Sequence, residues 1–213
     1  MVEIRTAQPG DLEALHDIAL QTGDAGNNAS SLYDDPKLIG HVYVAPYLLY
    51  EPQSCFVAED DEDVVGYIVG ARNTLAFAEL LETEWWPALR KQYADPSDID
   101  SKTGAGDFET WTADQLQAFA IHHPSRTPQR IVDTYPTHLY INLLSRAQGR
   151  GLGTQLMDRF LMAMDAGGSR GVHLNVHPKN ERAIHFFENY GFREVKEKKG
   201  KGTHHTIWFR LAL

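Results

Sequence analysis

A glycine-rich turn is the part of the sequence whose residue types and spacing best suit chemistry. Gly149, Gly151 and Gly153 fall within five residues. An alternating apolar segment at residues 138–143 predicts a strand before the turn, and apolar residues at steps of three to four predict a helix from Leu152 onward. The first N–H groups of that helix lack partners within it, and glycines let an anion approach the main chain. The turn therefore predicts phosphate binding.

Two familiar phosphate loops do not fit this spacing. A Walker loop requires a lysine before Thr154, and a dinucleotide fingerprint requires a glycine at position 154. The segment Gln148-Gly149-Arg150-Gly151-Leu152-Gly153 instead matches Q/R-x-x-G-x-G/A, the motif that binds the pyrophosphate of coenzyme A. A turn that merely joins a strand to a helix is the structural alternative.

A second motif follows at a compatible distance. Asn180, Ala183, Phe186 and the pair Gly191-Phe192 match N-x-x-A-x-x-F/L-Y-x-x-x-G-F. With both motifs in order, the sequence resembles the GNAT superfamily of acetyl-CoA-dependent N-acetyltransferases. The resemblance implies an α/β (α+β) fold in one domain over residues 1–213. Its mixed, mostly antiparallel sheet would have six or seven strands, splayed between strands 4 and 5 and flanked by helices.

The same resemblance implies acetyl-CoA as acyl donor and assigns residues to it. The pantetheine arm would bond to the main chain near the end of strand 4, and the pyrophosphate would lie on the glycine turn, with the second motif beside it. These positions are Leu143, Leu144, Ser145, Gln148, Gly149, Arg150, Gly151, Leu152, Gly153, Thr154, Asn180, Ala183, Phe186 and Phe187.

Acyl transfer to an amine needs a base, a polarised thioester carbonyl and a proton donor for the departing thiolate. The family's tyrosine donor is replaced here by Phe187, so Tyr190 is the substitute candidate. His138, near the start of strand 4, is the candidate base, and Asn142 on the same strand face completes the predicted catalytic set. Each has a structural alternative in ordinary packing. In the GNAT fold that the resemblance implies, the segment after the first strand and helix lines the acceptor side of the cleft. The candidate acceptor contacts are therefore His41, Tyr43 and Tyr47, with a packed aromatic or a satisfied histidine as the alternative for each.

More than sixty residues separate Arg72 from Tyr135, where many GNAT proteins have a short connection. Trp85, Trp86, Trp111 and Phe119 predict that residues 74–134 form a packed helical insertion, with helices at 73–93 and 112–121 around a loop at 94–107. These features resemble the branch that includes the acetyltransferase-like domain of O-GlcNAcase and its free-standing bacterial relatives.

Other patterns predict the remaining elements. Residues 37–50 predict a helix that ends at Pro46, and residues 54–58 and 64–71 predict a hairpin. Residues 191–197 and 203–211 predict a closing hairpin around a basic turn at 198–202.

Composition limits the partners. The net charge of −9 argues against nucleic acid, and the excess lies in residues 51–114, with fifteen acidic and four basic side chains. That face favours a cationic amine acceptor or is simply solvated. No apolar run spans a membrane and no signal peptide is evident, so we expect a cytoplasmic monomer or homodimer. Cys55, the single cysteine, excludes an internal disulfide.

Two functional classes follow. The first is an N-acetyltransferase that acts on a primary amine of a small molecule or a protein lysine. The second is an inactive relative that binds acyl-CoA or a protein partner. Phe187 supports this alternative because it replaces the tyrosine that donates a proton in the family. We expect no metal, because His138, His173 and His177 match no metal-ligand spacing and no carboxylate or cysteine joins them.

Overall fold

A central sheet with helices on both faces organises the chain, in a computed structural model that describes residues 2–61, 63–98, 110–196 and 206–213. The strands are β1 Val2–Thr6, β2 Phe56–Asp60, β3 Asp63–Ala71, β4 Thr137–Leu143, β5 Gly171–Val176, β6 Arg193–Glu194 and β7 Ile207–Ala212. The helices are α1 Leu12–Gln21, α2 Leu38–Tyr43, α3 Ala45–Tyr50, α4 Thr74–Leu80, α5 Trp86–Gln92, α6 Ala113–His122, α7 Gln129–Val132, α8 Leu152–Ala166 and α9 Glu181–Tyr190, with a π-helical turn, Leu81–Trp85, between α4 and α5.

The seven strands follow the order β1-β2-β3-β4-β5-β7-β6. Neighbouring strands are antiparallel except β4 and β5, which run parallel. The β4–β5 ladder has only two residue pairs, Thr137 with Val172 and His138 with His173. Beyond these pairs the two strands diverge, which confirms the predicted mixed sheet and its splay between strands 4 and 5.

Alternating side chains fill a core on each face of the sheet. Val57 and Val69 belong to the cluster that packs on α1, α2, α3 and the helices of the insertion. Phe56 and Ile68 belong to the cluster on the opposite face, beneath α8. Burial of each such side chain contributes on the order of 1.5–3 kcal/mol, so the two clusters fix the sheet against its helices.

The two helices that flank the splay have clear start and stop signals. α8 presents Leu152, Leu156, Phe160 and Met164 to the core at steps of four residues. At the start of α9, the side chain of Asn180 accepts a hydrogen bond from the N–H of Ala183 at 3.1 Å. Gly191, at φ +116°, ends that helix in the left-handed conformation.

The segment between β3 and β4 forms the predicted helical insertion. Nε1 of Trp85 donates to the carbonyl of His41 at 3.0 Å, and Nε of Arg90 donates to the carbonyl of Ile121 at 3.0 Å. The first bond joins the insertion to α2, and the second joins α5 to α6 within the insertion. The predicted helix at 73–93 is interrupted by the π-helical turn, and most of the predicted loop at 94–107 lies outside the described residues.

Two sequence predictions of element bounds were wrong. Pro46 does not end a helix, because it lies in the first turn of α3, where its missing N–H has no helical partner to lose. The strand predicted at 191–197 is reduced to Arg193–Glu194, because Gly191 caps α9 and Phe192 is buried in the core. That short strand pairs with β7 as expected. The basic turn at 198–202 lies outside the described residues. In the described part, no helix combines the length and apolarity needed to cross a bilayer.

Candidate functional site

Two cavities lie along β4. The first, about 620 Å³, lies at the end of β4, between the glycine turn and the start of α9. The second, about 500 Å³, lies at the start of β4, below α3, α4 and the loop before α7. Asn142 borders the first cavity and Tyr140 the second, so consecutive parts of one strand serve both.

Positive φ angles shape the glycine turn. Gly149 has φ +73° and Gly151 has φ +77°, values that side-chain-bearing residues rarely adopt. A Cβ atom at Gly149 would meet nothing within 4 Å, so open space lies before the main chain there. Gly153 differs, since its Cβ would lie 3.3 Å from the ring of Phe186, which closes the back of the cavity. The turn leads directly into α8, whose positive dipole end and free N–H groups therefore face the first cavity.

Four basic residues near the two motifs divide into two pairs. Arg150 forms an ion pair with Asp60 at 2.6 Å, and Arg146 one with Asp63 at 3.3 Å, both on the β2–β3 turn. Lys179 and Arg182 instead line the first cavity. Arg182 also donates a hydrogen bond to Oε1 of Gln148. Positive charge available to a bound anion therefore comes from the start of α9.

The predicted cofactor residues mostly gather at the first cavity. Its lining includes Leu143, Gln148, Gly149, Gly151, Leu152, Gly153, Thr154, Asn180, Ala183, Phe186 and Phe187. Leu144, Ser145 and Arg150 do not line it. The N–H of Leu144 donates to the carbonyl of Val65 at 2.9 Å, and its own carbonyl accepts from Ala147 at 2.8 Å. The main chain of Leu144 is thus already engaged.

The sequence did not predict one wall of the first cavity. Thr22, Ala25, Gly26 and Asn27, in the loop after α1, line the cavity opposite the glycine turn. A Cβ at Gly26 would lie 3.1 Å from Nδ2 of Asn180, so the loop packs closely on the start of α9. The sequence shows a polar loop here, but nothing in it indicates the contact with a helix more than 150 residues away.

Aromatic side chains dominate the second cavity. Tyr43 and Tyr47 line it as predicted, whereas His41 does not, because its Nδ1 bonds to the hydroxyl of Tyr93 at 3.1 Å. The other aromatic walls are Phe77, Trp86, His138, Tyr140, His173 and Trp208. Carboxylates of Glu79 and Glu82 also border the cavity, and Glu82 is paired with Arg90 at 2.9 Å. The sequence did not indicate the contributions of Thr74, Asn175 or Trp208.

His138 stands in a hydrogen-bond chain whose direction can be assigned. Its Nδ1 lies 2.7 Å from Oγ1 of Thr74, and its Nε2 lies 2.7 Å from the hydroxyl of Tyr47. Thr74 donates its only hydroxyl hydrogen to the carbonyl of Pro136 at 2.8 Å, so it accepts from Nδ1–H of His138. Nε2 of His138 is then the acceptor, and Tyr47 donates to it.

Burial keeps this chain neutral. It lowers the pKa of His138 to about 3, an effect to which the nearby His173 adds. Burial also raises the pKa of Tyr47 well above its ordinary value. Both ring nitrogens of His138 are engaged, so that ring must give up its bond to Tyr47 before it can accept a proton from a substrate.

The remaining candidate catalytic residues lie apart from each other. Asn142 donates from Nδ2 to the hydroxyl of Tyr67 at 2.7 Å, at the edge of the first cavity. The hydroxyl of Tyr190 donates to Asp158 on α8, and Tyr190 lines neither cavity. Burial and that carboxylate raise the pKa of Tyr190 above its ordinary range. Phe187 is buried in the core at the wall of the first cavity. Within the described ranges, no group of three or more histidine, cysteine or acidic side chains is arranged to hold a metal ion.

Comparison with known proteins decides the family. The model of the acetyltransferase (GNAT) family matches residues 12–192. The chain belongs to the GNAT family. The crystal structure of SsHAT superposes on this GNAT protein with a TM-score of 0.85 and 30% sequence identity, over 99% of this chain and 98% of that one.

More distant relatives share parts or the fold alone. Protein O-GlcNAcase of Rattus norvegicus and of Mus musculus is 23% identical over 197 residues, which is 92% of this chain. The GNAT chain spans about a fifth of the length of these curated relatives (20%). The structure of yncA from Salmonella typhimurium with its cofactor acetyl-CoA has a TM-score of 0.57 at 14% identity, over 100% of this chain and 94% of that one. The predicted resemblance to GNAT proteins and to O-GlcNAcase is confirmed.

Proposed function

We propose that this GNAT protein transfers an acetyl group from acetyl-CoA to a primary amine, by direct attack of the amine on the thioester. The observation that carries the proposal is the pair of cavities that consecutive parts of β4 line, Ile141 to Leu143 in the first and His138 to Tyr140 in the second. One is suited to a polyanion and the other to an organic amine, and in this proposal the thioester reaches the second cavity where β4 and β5 diverge. The related yncA structure, which holds acetyl-CoA, supports the choice of donor.

The residues of the first cavity fit acetyl-CoA. The open space before Gly149 and Gly151 would receive the pyrophosphate, with Lys179 and Arg182 as counter-charges. The pantetheine arm would lie along the free edge of β4, as an added strand does. Leu143, Leu144 and Ser145 remain predicted contacts for the arm. Bound there, acetyl-CoA supplies the thioester, and the chain's own residues position the acceptor against it.

The second cavity would receive the acceptor amine. Its walls carry tyrosine, phenylalanine and tryptophan rings, which attract a cationic group, and Glu79 adds negative potential at the border. Glu82 is paired with Arg90, and Arg126 is a basic residue of the same lining. His138 holds the hydroxyl of Tyr47, whose oxygen lone pairs then accept an N–H from the amine. Asn142 and Tyr190 remain predicted participants, and Tyr190 would have to leave Asp158 to donate a proton.

A second candidate is a module that binds acyl-CoA without transfer. Phe187 favours it, since this buried ring occupies the position of the family's tyrosine and cannot donate a proton. The intact glycine turn is compatible with both candidates. The second cavity, with its aromatic walls and the hydrogen-bonded pair Tyr47 and His138, favours the enzyme.

Calorimetric titration with acetyl-CoA and free coenzyme A, beside a thiol-release assay over primary amines, tests the proposal. Binding with amine-dependent thiol release would support the transferase. Binding without release from any small amine or lysine peptide would support the module. Absence of binding would contradict both.

A further inference from the structure

Four buried side-chain polar atoms have no hydrogen-bond partner in the described part of the chain: Nδ1 of His16, Oγ of Ser54, Oε1 of Gln117 and Nε2 of His173. Of these residues, His173 alone lines either cavity. A buried acceptor without a partner costs about 1–3 kcal/mol. Nε2 itself has almost no accessible surface, but its residue lines the second cavity, so a donor that reaches Nε2 from there would relieve this cost.

The other nitrogen of His173 is firmly held. Nδ1 lies 2.6 Å from the carbonyl of Tyr135, an acceptor without hydrogen, so Nδ1 carries the proton. Nε2 is therefore a bare lone pair. The Tyr135 carbonyl fixes the ring and would stabilise the imidazolium that forms when Nε2 takes a proton, as an orienting group does for a catalytic base.

The position of His173 in the sheet places it at the apex of the splay. His173 pairs with His138 in the last rung of the β4–β5 ladder, and their rings lie 5.9 Å apart on the same face. His138 has both nitrogens engaged, by Thr74 and Tyr47. The two histidines thus lie side by side but differ in their ring nitrogens. His138 has no unengaged nitrogen, whereas Nε2 of His173 is free to accept a hydrogen bond.

We propose that His173, and not His138, is the base that deprotonates the acceptor amine. This inference rests on the proposed function. An alkyl ammonium loses one proton to Nε2 of His173, and the free nitrogen then bonds to the thioester carbonyl carbon. The C–S bond breaks, the second nitrogen proton passes to the sulfur, and His173 returns its proton to solvent. The products are an amide, a thiol and one released proton.

The groups that surround His173 define how it titrates. His138 and Tyr140 on β4 and Tyr47 on α3 line the same cavity and are neutral, and the ring of Trp208 on β7 lies 5.9 Å from that of His173. The charged residues of this lining are Glu79, Glu82, which is paired with Arg90, and Arg126. Arg210, opposite His173 in the β5–β7 register, stacks on the ring of Tyr135. Burial lowers the pKa of His173, and the bond to Tyr135 partly opposes that shift. His173 is therefore neutral, and ready to accept a proton, at neutral pH.

His173→Asn is the decisive variant, since the asparagine amide can still donate to the Tyr135 carbonyl while Nε2 is removed. We expect kcat/KM for the amine to fall by about 100-fold or more while the Kd for acetyl-CoA changes less than about threefold. The residual activity should rise tenfold per pH unit toward the pKa of the amine, because only free amine then reacts. His185→Asn, at an exposed position on α9, is the control for turnover. His138→Asn, on the neighbouring strand, should keep the shape of the wild-type pH profile even if its rate falls with the loss of the Tyr47 bond.

A second readout does not depend on turnover or on the variant. Long-range ¹H–¹⁵N NMR of wild-type protein with coenzyme A should show His173 as the Nδ1–H tautomer, with an Nε2 signal that moves on titration with n-butylamine or phenethylamine. An Nε2–H tautomer would overturn the inference. Turnover in His173→Asn within threefold of wild type would also overturn it. So would a pH profile in which the fall in rate at acid pH disappears in His138→Asn and not in His173→Asn. Failure of the proposed function looks different, since wild-type protein would then bind acetyl-CoA and release no thiol with any amine.

Discussion

Tyr47 donates its hydroxyl hydrogen to Nε2 of His138 across 2.7 Å, although 91 residues separate the two in sequence. The donor direction follows from Thr74, whose hydrogen is committed to the carbonyl of Pro136. This chain joins α3, α4 and β4 at the wall of the second cavity. It holds a phenol oxygen and an imidazole in fixed, neutral forms where the acceptor is expected.

Tyr47→Phe should therefore affect both stability and turnover. It leaves Nε2 of His138 without a donor but keeps the ring stacked on Phe77, so the free energy of unfolding should fall by about 1–2 kcal/mol. Thiol release should fall with little change in the Kd for acetyl-CoA. Tyr50→Phe, which removes a longer bond to the carbonyl of Glu84 at 3.3 Å, should change neither property. Equal effects of the two variants in urea unfolding would refute this role for Tyr47.

Gly151 and Gly168 form a matched pair at the two ends of α8. Their φ angles are +77° and +78°, so valine at either position should cost about 1–2 kcal/mol of stability. Only Gly151→Val also places a side chain before the first cavity. We expect it to weaken acetyl-CoA binding by about 100-fold in calorimetry, roughly the affinity value of two good hydrogen bonds. Gly168→Val should bind normally, and similar losses in both would show that strain alone is responsible.

The two arginines Arg182 and Arg150 test the source of positive charge. Arg182 lines the first cavity, whereas Arg150 is paired with Asp60. Arg182→Gln should weaken acetyl-CoA binding by about tenfold at low salt, and the loss should shrink at high ionic strength. Arg150→Gln should change the Kd by less than about twofold. The reverse order would place the pyrophosphate nearer the β2–β3 turn.

Acid should destabilise the protein through its buried histidines. The folded pKa of His138 is about 3, below the ordinary value near 6.5, so its contribution is fully present above pH 6.5 and is lost as the pH falls toward 3. From pH 7 to pH 5, His138 alone should remove about 2 kcal/mol from the free energy of unfolding. His138→Gln should flatten this decline in urea titrations.

Core packing under α8 is open to a simple test. Leu156 is fully buried and Met162 on the same helix is 66% exposed. Leu156→Ala should lower the free energy of unfolding by about 3 kcal/mol. Met162→Ala should change it by less than about 0.5 kcal/mol. Comparable effects would mean that the exposed face of α8 is covered in solution.

Local spacing was enough to predict the part of the site that is built locally. Gly149, Gly151 and Gly153 are close in sequence, so their pattern alone indicated the turn before α8 that lines the first cavity. Phosphate binding there stays a prediction. Asn180 was predicted as a motif residue, and the structure shows that it also caps α9. The mixed, mostly antiparallel sheet with its splay between strands 4 and 5 followed from the family resemblance and was confirmed.

Long-range contacts account for what the sequence could not show. Arg150 and Arg182 have the same side chain, and only the position of Asp60 on β2 makes one of them unavailable. The sequence likewise favoured His138 as the base and assigned no catalytic role to His173 on the neighbouring strand. Their difference depends on Thr74, Tyr47 and Tyr135, which approach from separate elements. Hydrogen-bond availability is a property of the assembled site.

The π-helical turn Leu81–Trp85 determines the direction in which the side chains after it in the insertion point around the helix axis. Each residue of an α-helix advances the chain by about 100°, and the wider turn absorbs part of that advance. Trp85 and Trp86 are adjacent and so point in different directions around the axis: Trp85 bonds to the carbonyl of His41, and Trp86 lines the second cavity. A chain shorter by one residue in this turn would rotate the following helix about its axis. The indole of Trp86 would then point away from the cavity wall.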